Sequence, residues 1–307
     1  MRVTVTGATG LIGGTLVARL REQGAEVTVI SRDPERATAA LGVDAVAWDP
    51  LRETAPAQAL AGCDAVVHLA GENVAQRWSE RAKRAIRESR ELGTRNLVEG
   101  LRAGSVGVLV SASAIGYYGA HGEEPLDEEA PPGDDFLASV CVAWEAEARA
   151  ASELGVRTVQ VRTGVVLDPR GGALAKMLPP FRLGVGGPVA GGGQYVSWIH
   201  VDDLIGIMHA ALADTRWEGP VNGTAPEPVT NRELSHELGR ALHRPAILPV
   251  PGTALRLLYG EMAQIVTTGA RVLPAKPLML GYEFRHPHLG EALRAALQLG
   301  AGNESTR

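Results

Sequence analysis

The sequence predicts an α/β chain, a doubly wound parallel sheet with a smaller, mainly helical C-terminal lobe. Three observations predict it. A glycine-rich turn joins the first apolar run to the first helical pattern. Short apolar runs then alternate with helical patterns as far as Leu167. From Asp168 that rhythm stops, and glycine and proline pairs punctuate the chain. At 307 residues, 45% hydrophobic and 21% charged, the chain has ordinary globular composition and is long enough for a sizeable core in one large domain or two lobes.

The first strand is Arg2–Thr6, and it breaks into Gly7-Ala8-Thr9-Gly10-Leu11-Ile12-Gly13 before the helix that contains Leu16 and Leu20. Strand, glycine turn and helix together make this a Rossmann-type phosphate turn. Gly7 permits the tight turn, Gly10 lets backbone approach a pyrophosphate, and Gly13 lets the helix pack on the strand. The helix start, with Thr9, Leu11 and Ile12, presents free N–H groups and the positive end of the dipole to phosphate. A tight turn without a ligand is the alternative.

A second strand covers 26–31 and ends at Ser31-Arg32. Here, roughly 20 residues past the glycines, an acid selects a ribose 2′-hydroxyl and an arginine selects a 2′-phosphate. Arg32 and Ser31 therefore predict NADP(H). Asp33 competes for the position, but Asp33-Pro34-Glu35 reads as N-cap, N1 proline and first-turn acid of the next helix. A third strand, 45–48, ends at Asp49-Pro50, either an adenine contact or a turn-initiating pair. Residues 64–71 form a continuous apolar run, as a central strand buried on both faces requires. Its end, Leu69-Ala70-Gly71, belongs under the cofactor, while His68 reads as a satisfied core residue.

A long helix over 79–102 carries Arg90, and a fifth strand over 106–110 runs into Ser111-Ala-Ser113-Ala-Ile-Gly-Tyr117-Tyr118-Gly119. Small hydroxyl residues at a strand's carboxyl end suit a carbonyl-polarising site, although serine-rich strand ends also occur as plain turns. Residues 119–135 read as an acidic, mobile rim without metal-ligand register. A helix over 136–154 and a sixth strand over 156–161 complete the alternation, and Val165 follows. Residues 196–225 return to the sheet through a strand entering a helix, with Asp202 or Asp203 as its N-cap, and through a short strand at 220–224. Thr230-Asn-Arg-Glu233 is a capping box. The domain reading is thus 1–167, with 196–225 returning to it, as the cofactor-binding domain. Residues 168–195 and 226–307 make the substrate-side lobe, with 245–300 a compact all-helical module.

The net charge of -5 gives no basic patch for nucleic acid or an anionic membrane. No apolar run reaches the roughly 18 residues of a spanning helix, and no secretory leader precedes the first strand, so a cytoplasmic chain is expected. Two cysteines, Cys63 and Cys141, offer neither a disulfide framework nor metal-ligand spacing.

The stretches Thr6–Gly13, His68–Asn73, Ser111–Gly119, Ser197–Leu204 and Gly260–Pro274 carry a resemblance over essentially residues 1–300. The chain resembles the extended, nucleotide-sugar-epimerase-like short-chain dehydrogenases/reductases, and more narrowly the atypical epimerase family protein branch with its own C-terminal helical module. The resemblance implies NADP(H) held by Gly7, Gly10, Gly13, Ser31 and Arg32. It places Leu69 and Ala70 beside the cofactor, Val165 near the nicotinamide, Arg90 facing the cofactor where typical members have Asn, and Ser113 as the active-site serine. It also implies a small-molecule substrate and a homodimer formed through helices 79–102 and 136–154.

One departure matters. The usual reductase carries Tyr-x-x-x-Lys on the helix after the serine strand, and no such pair occurs in this chain. The positions in register are Leu137-x-x-x-Cys141 and Cys141-x-x-x-Glu145. Tyr117 or Tyr118 is the best substitute proton donor, and Cys141, mid-helix in an apolar setting, reads more readily as a core residue than as a catalytic thiol. Three functions follow. One is an NADP(H)-dependent oxidoreductase with altered acid–base machinery, acting on a small carbonyl or alcohol. Another is a non-catalytic NADPH-binding regulator or scaffold, and the last is a nucleotide-sugar epimerase.

Overall fold

Strand β1 (Arg2–Thr6) alternates valine with threonine, and each type goes to a different side of the sheet. Val3 and Val5 meet Leu16 and Leu20 of helix α1 (Leu11–Glu22). Thr4 faces the other way, and its hydroxyl donates to the Ala59 carbonyl of helix α3 (Ala57–Leu60) at 2.6 Å. The computed structural model describes the backbone of residues 1–304 and the side chains of residues 1–300.

Strands β2 (Glu26–Ser31), β3 (Asp44–Ala47), β4 (Ala65–His68), β5 (Val108–Ala114), β7 (Arg157–Thr163) and β8 (Gly219–Gly223) join β1 in a seven-stranded sheet ordered β8-β7-β5-β4-β1-β2-β3. Every neighbouring pair is parallel. The chain steps outward from β1 to β3, then crosses back to β4 on the opposite side of β1. The carboxyl ends of β1 and β4 therefore open the crevice where such sheets bind ligands.

Both faces of the sheet are covered, which explains the near-continuous apolar runs of the central strands. Val27, Val29, Val67 and Val110 pack under α1 and under Ile205 and Met208 of helix α7 (Val201–Ala213). Ile30, Val66 and Leu109 pack under Leu60, under Leu97 and Leu101 of helix α4 (Glu80–Leu101), and under Ala148 of helix α5 (Phe136–Arg149). Each fully buried aliphatic side chain of this kind contributes about 1.5–3 kcal/mol relative to exposure. Helix α2 (Pro34–Leu41) starts as expected, with Asp33 accepting from the Arg36 N–H at 3.1 Å. The expected helix over 136–154 ends earlier, at Arg149, and continues as a 3₁₀ turn over Ala150–Leu154.

The lobe has its own core. Leu174, Leu178 and Phe181 of helix α6 (Gly172–Arg182) and Leu234 and Leu238 of helix α8 (Asn231–Leu242) surround Trp198, with Leu293 closing the cluster. Helix α8 opens with the expected capping box at Thr230 and Glu233.

Residues 245–300 are not all-helical. Strand β9 (Arg271–Val272) pairs with β6 (Pro125–Leu126), and Val250 bridges Val189. The acidic rim is thus partly a strand. Glu128, read as a rim residue, is buried instead, and its carboxylate accepts the N–H groups of Asn222 at 2.9 Å and Lys276 at 3.1 Å. The N-cap of α7 is His200, whose Nδ1 accepts from the Asp202 N–H at 3.2 Å. Asp203, expected to serve there, accepts the N–H groups of Arg285 and His286 at 2.7 and 2.9 Å and so fixes the tail to the sheet domain. No helix among the described residues is long and apolar enough to cross a membrane.

Candidate functional site

At the carboxyl end of β1 the backbone has no room for side chains. Gly7 adopts a φ of +66°, and a Cβ there would lie 2.6 Å from the Leu69 carbonyl and 2.8 Å from the Ala70 nitrogen. A Cβ on Gly13 would run into the Gly7 carbonyl. Gly10 is the N-cap of α1 with extended backbone and no capping side chain. The first N–H groups of that helix therefore have no partner of their own and point out of the turn. This cradle fits a pyrophosphate: it provides donors and close backbone approach, and a Cβ would fill it.

The β4 end is held against the cradle by Thr6, whose hydroxyl accepts the N–H groups of Leu69 and Ala70, both at 3.1 Å. His68 bonds Thr6 Oγ1 through Nδ1 at 2.8 Å and Thr94 Oγ1 through Nε2 at 2.9 Å. Burial pushes its pKa down to about 3, so it is a neutral core residue, as the sequence suggested.

A cavity of about 420 Å³ opens from the cradle, with Gly10, Leu11, Leu69, Ala112, Val165 and Ala173 among its walls. Gly7, Ile12 and Gly13 also line it. Ala112, Ala173 and Met208 complete the wall, and no local motif in the sequence marks them. Ala173 and Gly172 arrive at the start of α6 because Gly171 packs against Leu11, where an added Cβ would meet its side chain at 3.3 Å. The only sequence signal for this was the Gly171-Gly172 pair.

At the end of β2, Arg32 is exposed and makes no ion pair among the described residues. Asp33 is committed to its N-cap, and Ser31 Oγ accepts from the Asp33 N–H at 3.2 Å. The exposed cation here is Arg32, with a hydroxyl beside it. Asp49 takes the turn role, accepting from the Leu51 N–H at 3.1 Å.

The other end of the crevice is a buried polar network. Ser113 Oγ donates to Glu145 Oε1 at 2.7 Å. Arg162 on β7 clamps the same carboxylate, Nε to Oε1 at 2.8 Å and Nη2 to Oε2 at 2.9 Å. Its Nη1 donates to the Tyr118 hydroxyl at 2.9 Å, and that hydroxyl donates to Asn222 Oδ1 at 2.7 Å. Tyr118 is fully buried, and desolvation pushes its phenol up to about 12. Tyr117 is half-buried, with the Arg162 guanidinium carbon 3.5 Å from its ring centroid. Its hydroxyl makes no hydrogen bond among the described residues.

Leu137 and Cys141 occupy the helix face opposite Gly116, whose Cβ would stand 3.4 Å from Leu137 Cβ and 3.9 Å from Cys141 Sγ. Burial, helped by Glu145, pushes the Cys141 thiol up to about 12, so it keeps its proton at neutral pH. That environment weakens the case for Cys141 as a proton donor. Arg90 lies beside Gly71 and Cys141, with its guanidinium carbon 5.0 Å from the Trp144 ring centroid. The structure thus brings Gly7, Gly10, Leu11, Ile12, Gly13, Leu69 and Val165 together around one cavity. Ser113 and Cys141 sit behind its wall among buried side chains.

The parallel sheet, the glycine cradle and the crevice at the β1/β4 reversal define an α/β protein of the dinucleotide-binding class. The model of the NAD dependent epimerase/dehydratase family matches residues 3–222, and a domain of unknown function, DUF1731, matches residues 250–296. The chain belongs to the NAD dependent epimerase/dehydratase family. It is 42% identical over 303 residues to the chloroplastic epimerase family protein SDR39U1 homolog of Arabidopsis thaliana, covering 97% of this chain and 87% of that protein. It is 39% identical over 303 residues to epimerase family protein SDR39U1 of Homo sapiens, covering 96% and 99%. A crystal structure of human SDR39U1 (isoform 2) with NADPH superposes with a TM-score of 0.87 at 36% identity, covering 97% of this chain and 99% of that one. A UDP-glucuronic acid 4-epimerase from Bacillus cereus, at 18% identity and a TM-score of 0.80, shares the fold.

Proposed function

We propose that the chain is an NADP(H)-dependent oxidoreductase acting on a small carbonyl or alcohol. The observation that carries this reading is the uncapped, glycine-lined start of α1, opening into the 420 Å³ cavity. The NADPH in the human relative's crystal structure supports it. Arg32 and Ser31 hold the 2′-phosphate, the N–H groups of Leu11, Ile12 and Gly13 the pyrophosphate, and Leu69, Ala70 and Val165 the nicotinamide end. The cofactor, when bound, supplies or takes the hydride.

Ser113 gives its single proton to Glu145. It therefore offers only lone pairs and does not donate into an oxyanion. Tyr117 has the free hydroxyl and takes the proton-transfer role ahead of Cys141. Titration with NADPH and NADH, followed by fluorescence, tests the cofactor reading. NADPH is expected to bind more tightly, and Arg32→Ala to remove that preference. Equal or absent binding of both nucleotides in the unmodified protein overturns the reading.

A second reading, a non-catalytic NADPH-binding regulator, is favoured by one observation: Leu137 and Cys141 fill the helix face where the family's acid–base pair stands. Oxidation of bound NADPH on adding a panel of carbonyl compounds separates the two. Epimerisation of a nucleotide sugar is disfavoured by the same missing pair.

A further inference from the structure

The net charge of -5 conceals an uneven distribution. Residues 172–199 and 228–260, which build the lobe around helices α6 and α8, carry six cations: Lys176, Arg182, Arg232, Arg240, Arg244 and Arg256. Against them stand two acids, Glu233 and Glu237, so these segments are net +4 in a chain of -5. Both acids are engaged. Glu233 closes the Thr230 capping box, and Glu237 accepts from Arg240 Nη1 at 2.9 Å. A depression of about 670 Å³ is walled by Arg240, Arg244, Arg294, His236, His243 and Ile247, and no acid lines it. Arg244 and Arg294 make no ion pair among the described residues.

The same lobe carries apolar side chains that the fold leaves uncovered. Residues 182–190 run beside 244–252. Arg244 Nε donates to the Arg182 carbonyl at 3.1 Å, the Val250 N–H to the Pro188 carbonyl at 2.8 Å, and the Ala190 N–H to the Val250 carbonyl at 2.9 Å. Leu183 and Ile247, one on each segment, are 78% and 77% exposed. Helix α9 (Gly252–Tyr259) continues from the second segment, and none of its eight residues is buried. Leu257 is 80% exposed, and Leu258 and Tyr259 beside it are exposed too. Both ends of α9 are nevertheless anchored. A Cβ on Gly252 would lie 3.1 Å from Ala190 Cβ, and just past the helix Glu261 pairs with Lys83 Nζ at 2.5 Å while Met262 is buried.

We propose that this face docks on an anionic membrane surface, against the expectation that the net charge raised. Side chains this exposed protrude, and a bilayer takes them up without a matching shape, while the cations beside them meet lipid phosphates. Docking of this kind is peripheral and needs no spanning helix. The rest of the chain carries -9, the difference between -5 and +4, and turns away from the lipid, which orients the molecule. A second copy of the chain fits less well, because a two-fold interface sets the face against itself, cation against cation. Each Lys or Arg held at an anionic surface tightens binding about fivefold.

Co-sedimentation of the full chain with vesicles of phosphatidylcholine mixed with phosphatidylglycerol, and with vesicles of phosphatidylcholine alone, tests this. Binding to the mixed vesicles is expected to be at least about tenfold tighter and to weaken as salt is raised. Leu257→Asp combined with Leu258→Asp is expected to abolish it. Arg244→Gln combined with Arg294→Gln is expected to weaken it at least about tenfold, and the corresponding Lys pair to retain most of it. Circular dichroism on each variant reports folding. No binding to the mixed vesicles, equal binding to the two compositions, or binding unchanged in the folded leucine variant overturns the proposal. Sedimentation velocity without lipid examines the other occupant: a dimer that the leucine variant dissociates assigns the face to a second copy and overturns the membrane reading as well.

Discussion

The two ends of the crevice are built from different materials. The cradle end is backbone: glycines, an uncapped helix start and the N–H groups that follow. The far end is side chain: Ser113, Glu145, Arg162, Tyr118 and Asn222 from five separate elements, joined by hydrogen bonds of 2.7–2.9 Å. A backbone site tolerates little variation in shape, because a single methyl group closes it. A side-chain network tolerates little variation in charge, because each member neutralises or satisfies another. The first end is specified over a few consecutive residues, the second over more than a hundred.

The sharpest way to break this contrast is to unbalance the charged end. Arg162→Met leaves Glu145 buried with only Ser113 to satisfy it. Stranding one partner of a buried ion pair costs about 3–5 kcal/mol, and urea unfolding is expected to show a loss of that size. Glu145→Leu combined with Arg162→Met is expected to recover part of it, since no uncompensated charge remains. At the cradle, Gly13→Ala pushes a methyl group into the Gly7 carbonyl. An overpacked contact of this kind costs about 1–3 kcal/mol, less than the charge defect, but it is expected to abolish NADPH binding. Calorimetry and unfolding on the same two variants therefore separate the ends. One variant loses mainly stability, the other mainly ligand.

His68 sharpens the comparison between the buried floor and the open crevice. Its folded pKa, about 3, lies below the ordinary histidine value near 6.5. The unfolded chain therefore takes up a proton that the folded chain refuses. The stability contribution of neutral His68 is complete above pH 6.5 and is lost as pH falls toward 3, at about 1.4 kcal/mol per pH unit. His200, pushed down to about 4 chiefly by burial, acts in the same direction. Unfolding free energies measured between pH 6 and pH 4.5 are expected to fall with about twice this slope, one proton from each histidine. His68→Gln is expected to flatten it by one proton.

How much of this could be read in the sequence follows the same division. Local signals were readable. Asp33-Pro34-Glu35 is an N-cap, Thr230 and Glu233 make a capping box, and Gly7 needs its left-handed backbone. The apolar alternation of β1 and the unbroken run of β4 gave the sheet, because burial on one face or two writes its period directly into neighbouring residues. What was not readable depends on distance along the chain. Asp203 looked like an N-cap, yet its carboxylate serves Arg285 and His286, residues of the tail. Glu128 looked like part of an acidic rim, yet it carries the backbone of Asn222 and Lys276. Glu145 stands in register with Cys141 on its helix, but its partner Arg162 lies on a strand and nothing local links them. Nor did any local pattern say that Gly172 and Ala173 would close the cavity opposite α1.

The tandem tyrosines give the smallest perturbation and the finest test. Tyr118 and Tyr117 are adjacent in sequence and stack edge to face, with ring centroids 5.3 Å apart. Tyr118 belongs to the buried network. Removing its hydroxyl leaves Asn222 Oδ1 without its donor and takes an acceptor from Arg162, so Tyr118→Phe is expected to cost about 1–3 kcal/mol. The Tyr117 hydroxyl is free of such partners, and Tyr117→Phe is expected to leave stability within about 0.5 kcal/mol. Activity should divide the other way. If Tyr117 passes the proton, its loss is expected to slow carbonyl-dependent NADPH oxidation by about a hundredfold or more, with NADPH affinity unchanged. Tyr118→Phe is expected to slow turnover only in proportion to the protein it unfolds. Undiminished turnover in Tyr117→Phe would remove that residue from the reaction, and the proton would then have to come from the substrate side of the crevice.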